Sequence, residues 1–462
     1  MSRSFALPLI LCALVLPACV GVRPGTNSTG SWSGAPAAAS PARPPEGATP
    51  GHATGAWTDP ARAEVLAGAA AWIDAARAEA APDRRTARFD VSARDSLGRV
   101  FLVGETTDGR ALDALTARLA ERWPGAVTDA VRRLPDTTAL GPLRLALVSV
   151  SVANLRADPR ESAELASQAL LGTPLRILDR RGGWLLVQTP DRYLAWVDAS
   201  TVERVDARQM RRHEAARKLV YTAAYGFVRA EPHDAALPVS DLVAGSLLEP
   251  TDLSIPDAIG IAMDSAGTAA DAAGQGGFVS VRLPDGRSGY VRADETMPFD
   301  DWADTRRTAP LRLVATAESF TGLPYLWGGT STKGVDCSGF TRTVYLMNGM
   351  LLPRDASQQV RAGATVDSTG EWARLQPGDL LFFGRRATDG QPERVVHVGM
   401  WIGDGRFIHS SGRVRVSSMN PADADYGAYD RGRYLRTQRV EEGDRLAPLL
   451  RHGALYAVVN ER

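Results

Sequence analysis

The sequence has little cysteine and no excess of either charge. It carries three cysteines and six histidines in 462 residues, and its 53 lysines and arginines are balanced by 53 aspartates and glutamates. A chain with no net charge offers no electrostatic footprint for a polyanion, so a nucleic-acid role is not expected. The apolar run near its start, Phe5 to Leu16, is too short to span a bilayer as a helix. Apolar content of 44% and charged content of 23% are ordinary for globular domains. The length suggests about three domains of roughly 150 residues.

Arg3 followed by that apolar run has the layout of an export signal. It ends in L-P-A-C at Leu16 to Cys19, which resembles the lipobox of bacterial lipoproteins, with Pro17 as a departure. The resemblance implies a lipoprotein signal peptide over 1–18, acylation of Cys19 and a membrane anchor. With Val20 after the cysteine, it also implies an outer-membrane lipoprotein facing the periplasm. Cys12 would leave with the signal and Cys19 would be lipidated, so Cys337 remains as one unpaired thiol in an oxidising compartment. Such a thiol is either an inert buried residue or one with a task.

Residues 19–56 are rich in Gly, Ser, Pro, Thr and Ala and read as a flexible tether. Residues 57–137 read as a small α+β domain: a helix over 61–80, two alternating runs (R-F-D-V-S-A and R-V-F-L-V-G-E), a helix over 111–123 and a strand near Val131. No motif marks it, and a structured spacer or docking module is expected. Residues 138–208 and 209–300 contain a repeat. G-W-L-L-V-Q-T-P-D-R-Y-L-A-W-V from Gly183 aligns without a gap on G-F-V-S-V-R-L-P-D-G-R-S-G-Y-V from Gly277. Each copy is strand, Pro-Asp turn, strand. The hairpins resemble bacterial SH3-like domains, which implies two small β-barrels. The second carries an Ala/Gly-rich stretch, 261–276, read as a mobile insertion. From residue 308 the pattern is mixed α/β to 440, with helices over 315–321 and 337–347 and strands over 380–383, 395–402 and 406–409. Residues 441–462 form a C-terminal extension.

D-C-S-G-F places Cys337 at the start of a helix. Unpaired N–H groups and the dipole there favour a thiolate, and a neighbouring imidazolium would lower the thiol further. His397 and His409 are the candidate neighbours. If Gly403-Asp404-Gly405 is a three-residue turn, Ile402 pairs with Arg406 and His409 lies opposite Gly399. Both rings then project from one face, whereas a two-residue turn would separate them. One histidine can meet the thiol and the other can orient the first. Zinc is the competing reading, but one cysteine and two histidines without a close carboxylate make a poor site.

Six stretches fall in order along this region: G-L-P-Y-L-W-G-G, K-G-V-D-C-S-G-F, L-P-R-D, Q-P-G-D-L-L-F-F and the two histidine strands. Together they resemble the NlpC-type, papain-like cell-wall cysteine peptidases. That resemblance implies an α+β peptidase domain with Cys337 as nucleophile, His397 as base, His409 as third residue and Tyr325 supporting the oxyanion, with no cofactor or metal. With two SH3-like domains in front, the chain resembles the γ-D-glutamyl-L-diamino acid endopeptidases and dipeptidyl-peptidases VI, which cleave murein stem peptides. The first SH3-like domain there reads the free amine of L-Ala. This implies substrate contacts at Glu164, Tyr193, Asp336, Ser338 and Ser357. The second copy has Arg287 at the position of Tyr193.

Overall fold

The computed structural model describes residues 59–96, 99–251, 277–305 and 309–460. The signal peptide, the tether, Cys19 and the stretch 261–276 lie outside the described residues. All described residues belong to one compact unit, and among them no helix is long and apolar enough to cross a membrane.

The N-terminal part has two helices, Asp59–Ala80 and Gly109–Arg122, on a three-stranded sheet of β1 (Phe89–Ser96), β2 (Arg99–Thr106) and β3 (Val127–Arg133). Val65, Ala69 and Ile73 recur at helical spacing and meet Leu112, Leu115 and Leu119 over the alternating Phe89, Val91, Val100 and Leu102. β2 and β3 run parallel, and the second helix supplies the crossover that a parallel pair requires. This part is not a free spacer. Arg132 on β3 makes a bidentate contact with Asp179 at 2.7 and 2.9 Å, and the Leu194 N–H donates to Arg85 O at 2.7 Å.

Two seven-stranded sheets follow. The first holds β4 (Leu145–Val148), β5 (Val152–Arg156), β6 (Leu165–Leu170), β7 (Pro174–Arg181), β8 (Trp184–Gln188), β9 (Leu194–Asp198) and β10 (Val202–Val205). The second holds β11 (Leu219–Tyr221), β12 (Tyr225–Arg229), β13 (Pro238–Val243), β14 (Leu247–Pro250), β15 (Phe278–Arg282), β16 (Ser288–Arg292) and β17 (Thr296–Pro298). Their orders are β10-β4-β7-β8-β9-β5-β6 and, from the other edge, β17-β11-β14-β15-β16-β12-β13. Each strand of one has its counterpart in the same place in the other. The repeated hairpins are β8–β9 and β15–β16, in the ungapped register of the sequence repeat. Arg287 spans the two modules, donating to Val239 O and Ser149 O.

The C-terminal part pairs β18 (Thr330–Ser331) with β19 (Gly334–Val335). It also builds an antiparallel sheet from β20 (Ala364–Asp367), β21 (Leu380–Arg385), β22 (Arg394–Gly403), β23 (Arg406–Ser411), β24 (Arg413–Ser418) and β25 (Tyr434–Arg439), in the order β20-β25-β21-β22-β23-β24. Helices Pro310–Ser319 and Cys337–Met347 pack on one face. Leu313, Ala317, Phe340 and Val344 are buried there against Leu380, Phe382, Val398, Met400 and Ile408. Alternation sends Leu381, Phe383, Trp401 and Phe407 to the other face. The C-terminal helix His452–Asn460 docks on the first module, where Tyr456 and Val459 join Leu147, Val205 and Met210.

The seam between the first module and the C-terminal part is close. Gln168 Oε1 accepts from the Thr330 N–H and the Ser331 hydroxyl, both at 3.0 Å. At Gly328, φ is +79° and an added Cβ would lie 2.1 Å from Leu165 O. Gly328→Ala is therefore expected to cost about 2 kcal/mol or more. Gly125, also at positive φ but with nothing within 4 Å of its Cβ, should lose only about 1 kcal/mol as alanine. Thermal melting of the two variants checks the difference.

Candidate active site

Cys337 is the first residue of its helix, and Asp336 caps it, accepting from the Gly339 N–H at 2.7 Å. The sulfur meets the backbone N–H groups of Ser338 and of Val398, the residue after His397. Burial comes first among the influences on the thiol. With the Asp336 charge, it outweighs these N–H groups and pushes the thiol up to about 11. This corrects the expectation of a lowered thiol. The helix N-terminus acts in the expected direction, but desolvation is the larger effect.

His397 and His409 do lie together. His397 Nε2 is 2.8 Å from His409 Nδ1, and His409 Nε2 is 3.1 Å from Ser417 Oγ. The turn that sets this differs from the expected one. Gly403 pairs with Arg406, leaving the two-residue turn Asp404-Gly405, and Trp401 pairs with Phe407. Both turn residues have positive φ, +48° and +73°, as a type I′ hairpin requires. Ile402 is the extra residue of a β-bulge, and it restores the parity that a two-residue turn would have changed.

Burial pushes His397 well below its usual value, opposed by the Asp430 charge. His409 is lowered too, by burial and then by its neighbour ring. Both rings are neutral near pH 7. With Nε2–H of His397 donating to His409, and Nε2–H of His409 donating to Ser417, Nδ1 of His397 remains a base.

Asp430 and Ser417 were not among the sequence candidates. Asp430 Oδ2 is 4.0 Å from His409 Nδ1 and its Oδ1 accepts from Arg433 at 2.8 Å. Asp430 adds the close carboxylate that the sequence alone does not reveal beside the histidines; its ligating atom and those of the two histidines lie within 4.8 Å of one another. Yet the rings are hydrogen-bonded directly at 2.8 Å. Two ligands on one tetrahedral zinc stand about 3.3 Å apart, given Zn–N distances near 2.0–2.1 Å. The arrangement fits a proton-sharing pair.

Asp336 and Ser338, expected to touch substrate, are buried on either side of Cys337. Arg354 donates to Asp336 Oδ2 at 2.6 Å, to Oδ1 at 3.2 Å and to Ser338 Oγ at 3.0 Å. The Gly328 N–H also donates to Asp336 Oδ2 at 3.0 Å. Tyr325 is half-buried, and its hydroxyl has no hydrogen bond among the described residues; burial and then the Cys337 and Asp336 charges raise it to about 12.

Two of the expected substrate-binding residues of the first module touch the C-terminal part, at Trp327 and Asp355. Glu164, just before β6, accepts from Trp327 Nε1–H at 2.6 Å, and Trp327 is 61% exposed. Tyr193, just before β9, is buried and donates its hydroxyl to Asp355 at 3.3 Å. Ser357 Oγ accepts from Arg85 at 2.9 Å. Arg354 and Asp355 were legible as the charged end of L-P-R-D. Arg85 and Asp430 carried no such signal.

Comparison with known proteins agrees with this geometry. The NlpC/P60 family matches residues 322–427, and the bacterial dipeptidyl-peptidase Sh3 domain matches residues 155–202. The chain is 30% identical over 255 residues to a gamma-D-glutamyl-L-lysine dipeptidyl-peptidase of Bacillus cereus, covering 54% of this chain and 67% of the relative. The chain belongs to the NlpC/P60 family. It is a multidomain cysteine peptidase with an SH3-like domain before its C-terminal NlpC/P60 domain. It is also 28% identical over 291 residues to dipeptidyl-peptidase 6 of Lysinibacillus sphaericus, covering 62% of this chain and 94% of that one. A crystal structure of an NlpC/P60 family protein from Bacillus cereus superposes with TM-score 0.51 at 25% identity, over 64% of this chain and 99% of that chain.

Burial shifts both groups toward their neutral forms, thiol and imidazole. Alkylation of Cys337 by iodoacetamide should then rise with pH through neutrality toward about 11. Activity should persist on the acid side, below the usual histidine range, until His397 gains its proton, because the protonated ring is no base. An alkylation rate already level below about pH 6 would instead indicate a preformed ion pair.

Proposed function

We propose that the enzyme hydrolyses the γ-D-glutamyl–diamino acid bond of murein stem peptides and prefers those with a free N-terminal L-Ala. The observation that carries this reading is the pair Glu164 and Tyr193, two polar residues of the SH3-like domain that contact the peptidase domain at Trp327 and Asp355. The names of two relatives, a gamma-D-glutamyl-L-lysine dipeptidyl-peptidase and a dipeptidyl-peptidase 6, point the same way. The shared strand order supports reading the second module as SH3-like too.

In this mechanism His397 Nδ1 takes the thiol proton as sulfur attacks the γ-carbonyl carbon. The oxyanion is held by the Cys337 N–H and the Tyr325 hydroxyl. The C–N bond breaks as His397 returns the proton to the leaving amine, leaving a thioester. Water then gives a proton to His397 and its oxygen to the carbonyl, and the thiol is regenerated.

An ammonium entering this cleft loses water and needs a carboxylate and hydrogen-bond acceptors. Glu164 provides the charge. A stem still joined to muramic acid has an amide there and continues into the space that Tyr193 fills. Glu164→Ala is expected to lose about a hundredfold in kcat/KM on L-Ala-γ-D-Glu-diaminopimelate, with Cys337 alkylation unchanged. Equal rates on the free and N-acetylated tripeptides would contradict the reading and favour an endopeptidase acting on intact wall.

The L-P-A-C sequence supports a lipid anchor at Cys19, and with it an outer-membrane location facing the periplasm. Each buried acyl methylene contributes about 0.8 kcal/mol to anchoring. Cys19→Ala should therefore move the protein from the membrane to the soluble fraction of a cell lysate; unchanged fractionation would remove the anchor.

A further inference from the structure

The segment between the first helix and β1 lies against two other domains. Asp83 Oδ2 accepts from Gln358 Nε2 at 2.8 Å. Thr86 O accepts from Gln188 Nε2 at 3.1 Å, and Arg85 O accepts from the Leu194 N–H at 2.7 Å. Arg85 Nη1 donates to Asp355 Oδ2 and to Ser357 Oγ, each at 2.9 Å. Its Nε and Nη2 hold Asp83 at 2.8 and 2.7 Å. The segment thus grips both sides of the seam beside Tyr193.

Asp355 Oδ2 receives two donors, the Arg85 guanidinium and the Tyr193 hydroxyl. A hydroxyl rotates to suit its partners. Once Tyr193 gives its hydrogen to Asp355, its oxygen presents lone pairs to whatever lies in front, and an ammonium needs such an acceptor. Burial, and then the Asp355 charge, push the phenol well above its usual value, so that hydrogen stays in place. Asp83 is held down to about 2, with the Arg85 and Gln358 hydrogen bonds outweighing its burial, and keeps Arg85 fixed from behind.

We infer that Arg85, contributed by the N-terminal domain, is a positioning residue for the amine end of the cleft, holding Asp355 so that Tyr193 accepts from the substrate's ammonium. The inference rests on the free-amine reading above. It makes the N-terminal domain part of the specificity apparatus of the peptidase.

The test measures KM, kcat and the ratio of kcat/KM for free against N-acetylated L-Ala-γ-D-Glu-diaminopimelate in the full chain. Arg85→Gln should raise KM about tenfold and lower the ratio about as much, with kcat within about twofold and the iodoacetamide rate unchanged. Arg85→Lys, which keeps a cation for Asp355, should recover most of the loss. In a Tyr193→Phe background Arg85→Gln should add less than about twofold, because both act through one hydroxyl. Should Arg85→Gln fail to fold, Asp355→Asn must show the same rise in KM. An unchanged KM, or effects of Arg85→Gln and Tyr193→Phe that multiply fully, overturns the inference. A wild-type ratio far from one with unaltered Arg85→Gln kinetics removes Arg85 alone; a wild-type ratio of one removes the amine reading with it.

Discussion

The buried ion pair between Asp336 and Arg354 is the constraint on which the rest of the site depends. Asp336 caps the helix that begins with Cys337 and takes the Gly328 N–H. It thereby fixes the nucleophile relative to the loop bearing Tyr325 and Trp327. Arg354 is 2% exposed, and its neighbour Asp355 receives Tyr193 and Arg85. One carboxylate–guanidinium contact thus links the Cys337 helix, the loop bearing Trp327 and its partner Glu164, and the Asp355 that Tyr193 meets. Removing one partner would leave an uncompensated buried charge, costing about 3–5 kcal/mol, so the pair constrains geometry even where its net contribution to stability is small.

The chemistry follows from burial. The thiol and both imidazoles are desolvated, which favours their neutral forms. In the proposed mechanism, charge separates only as the thiol proton moves to His397. The hydrogen-bonded chain through His409 to Ser417 holds His397 in the tautomer that can receive it, with Asp430 nearby to favour the imidazolium.

Much of this was legible locally. The helix 337–347 and the repeated hairpins follow from short-range periodicity and turn residues, and β22 and β23 run only slightly beyond the strands read there. The facing of His397 and His409 was inferred correctly through an incorrect turn, because a bulge at Ile402 and a shorter loop cancel in parity. Bulges leave no compositional trace here. The thiol's shift runs opposite to the local expectation because desolvation depends on packing by residues distant in sequence, which bury Cys337 among β22 and β23. Arg85, Asp430 and the burial of Asp336 and Ser338 were unreadable for the same reason. Arg85 lies 272 positions from Ser357, and no local pattern reports such a contact.

The most direct measurement is a crystal structure of Cys337→Ser with L-Ala-γ-D-Glu-diaminopimelate. The account predicts the γ-carbonyl carbon beside the serine hydroxyl that replaces the thiol. The L-Ala ammonium should lie within about 3 Å of Glu164 and of the Tyr193 hydroxyl oxygen. An ammonium pointing to solvent, with open space continuing past Tyr193, would contradict it.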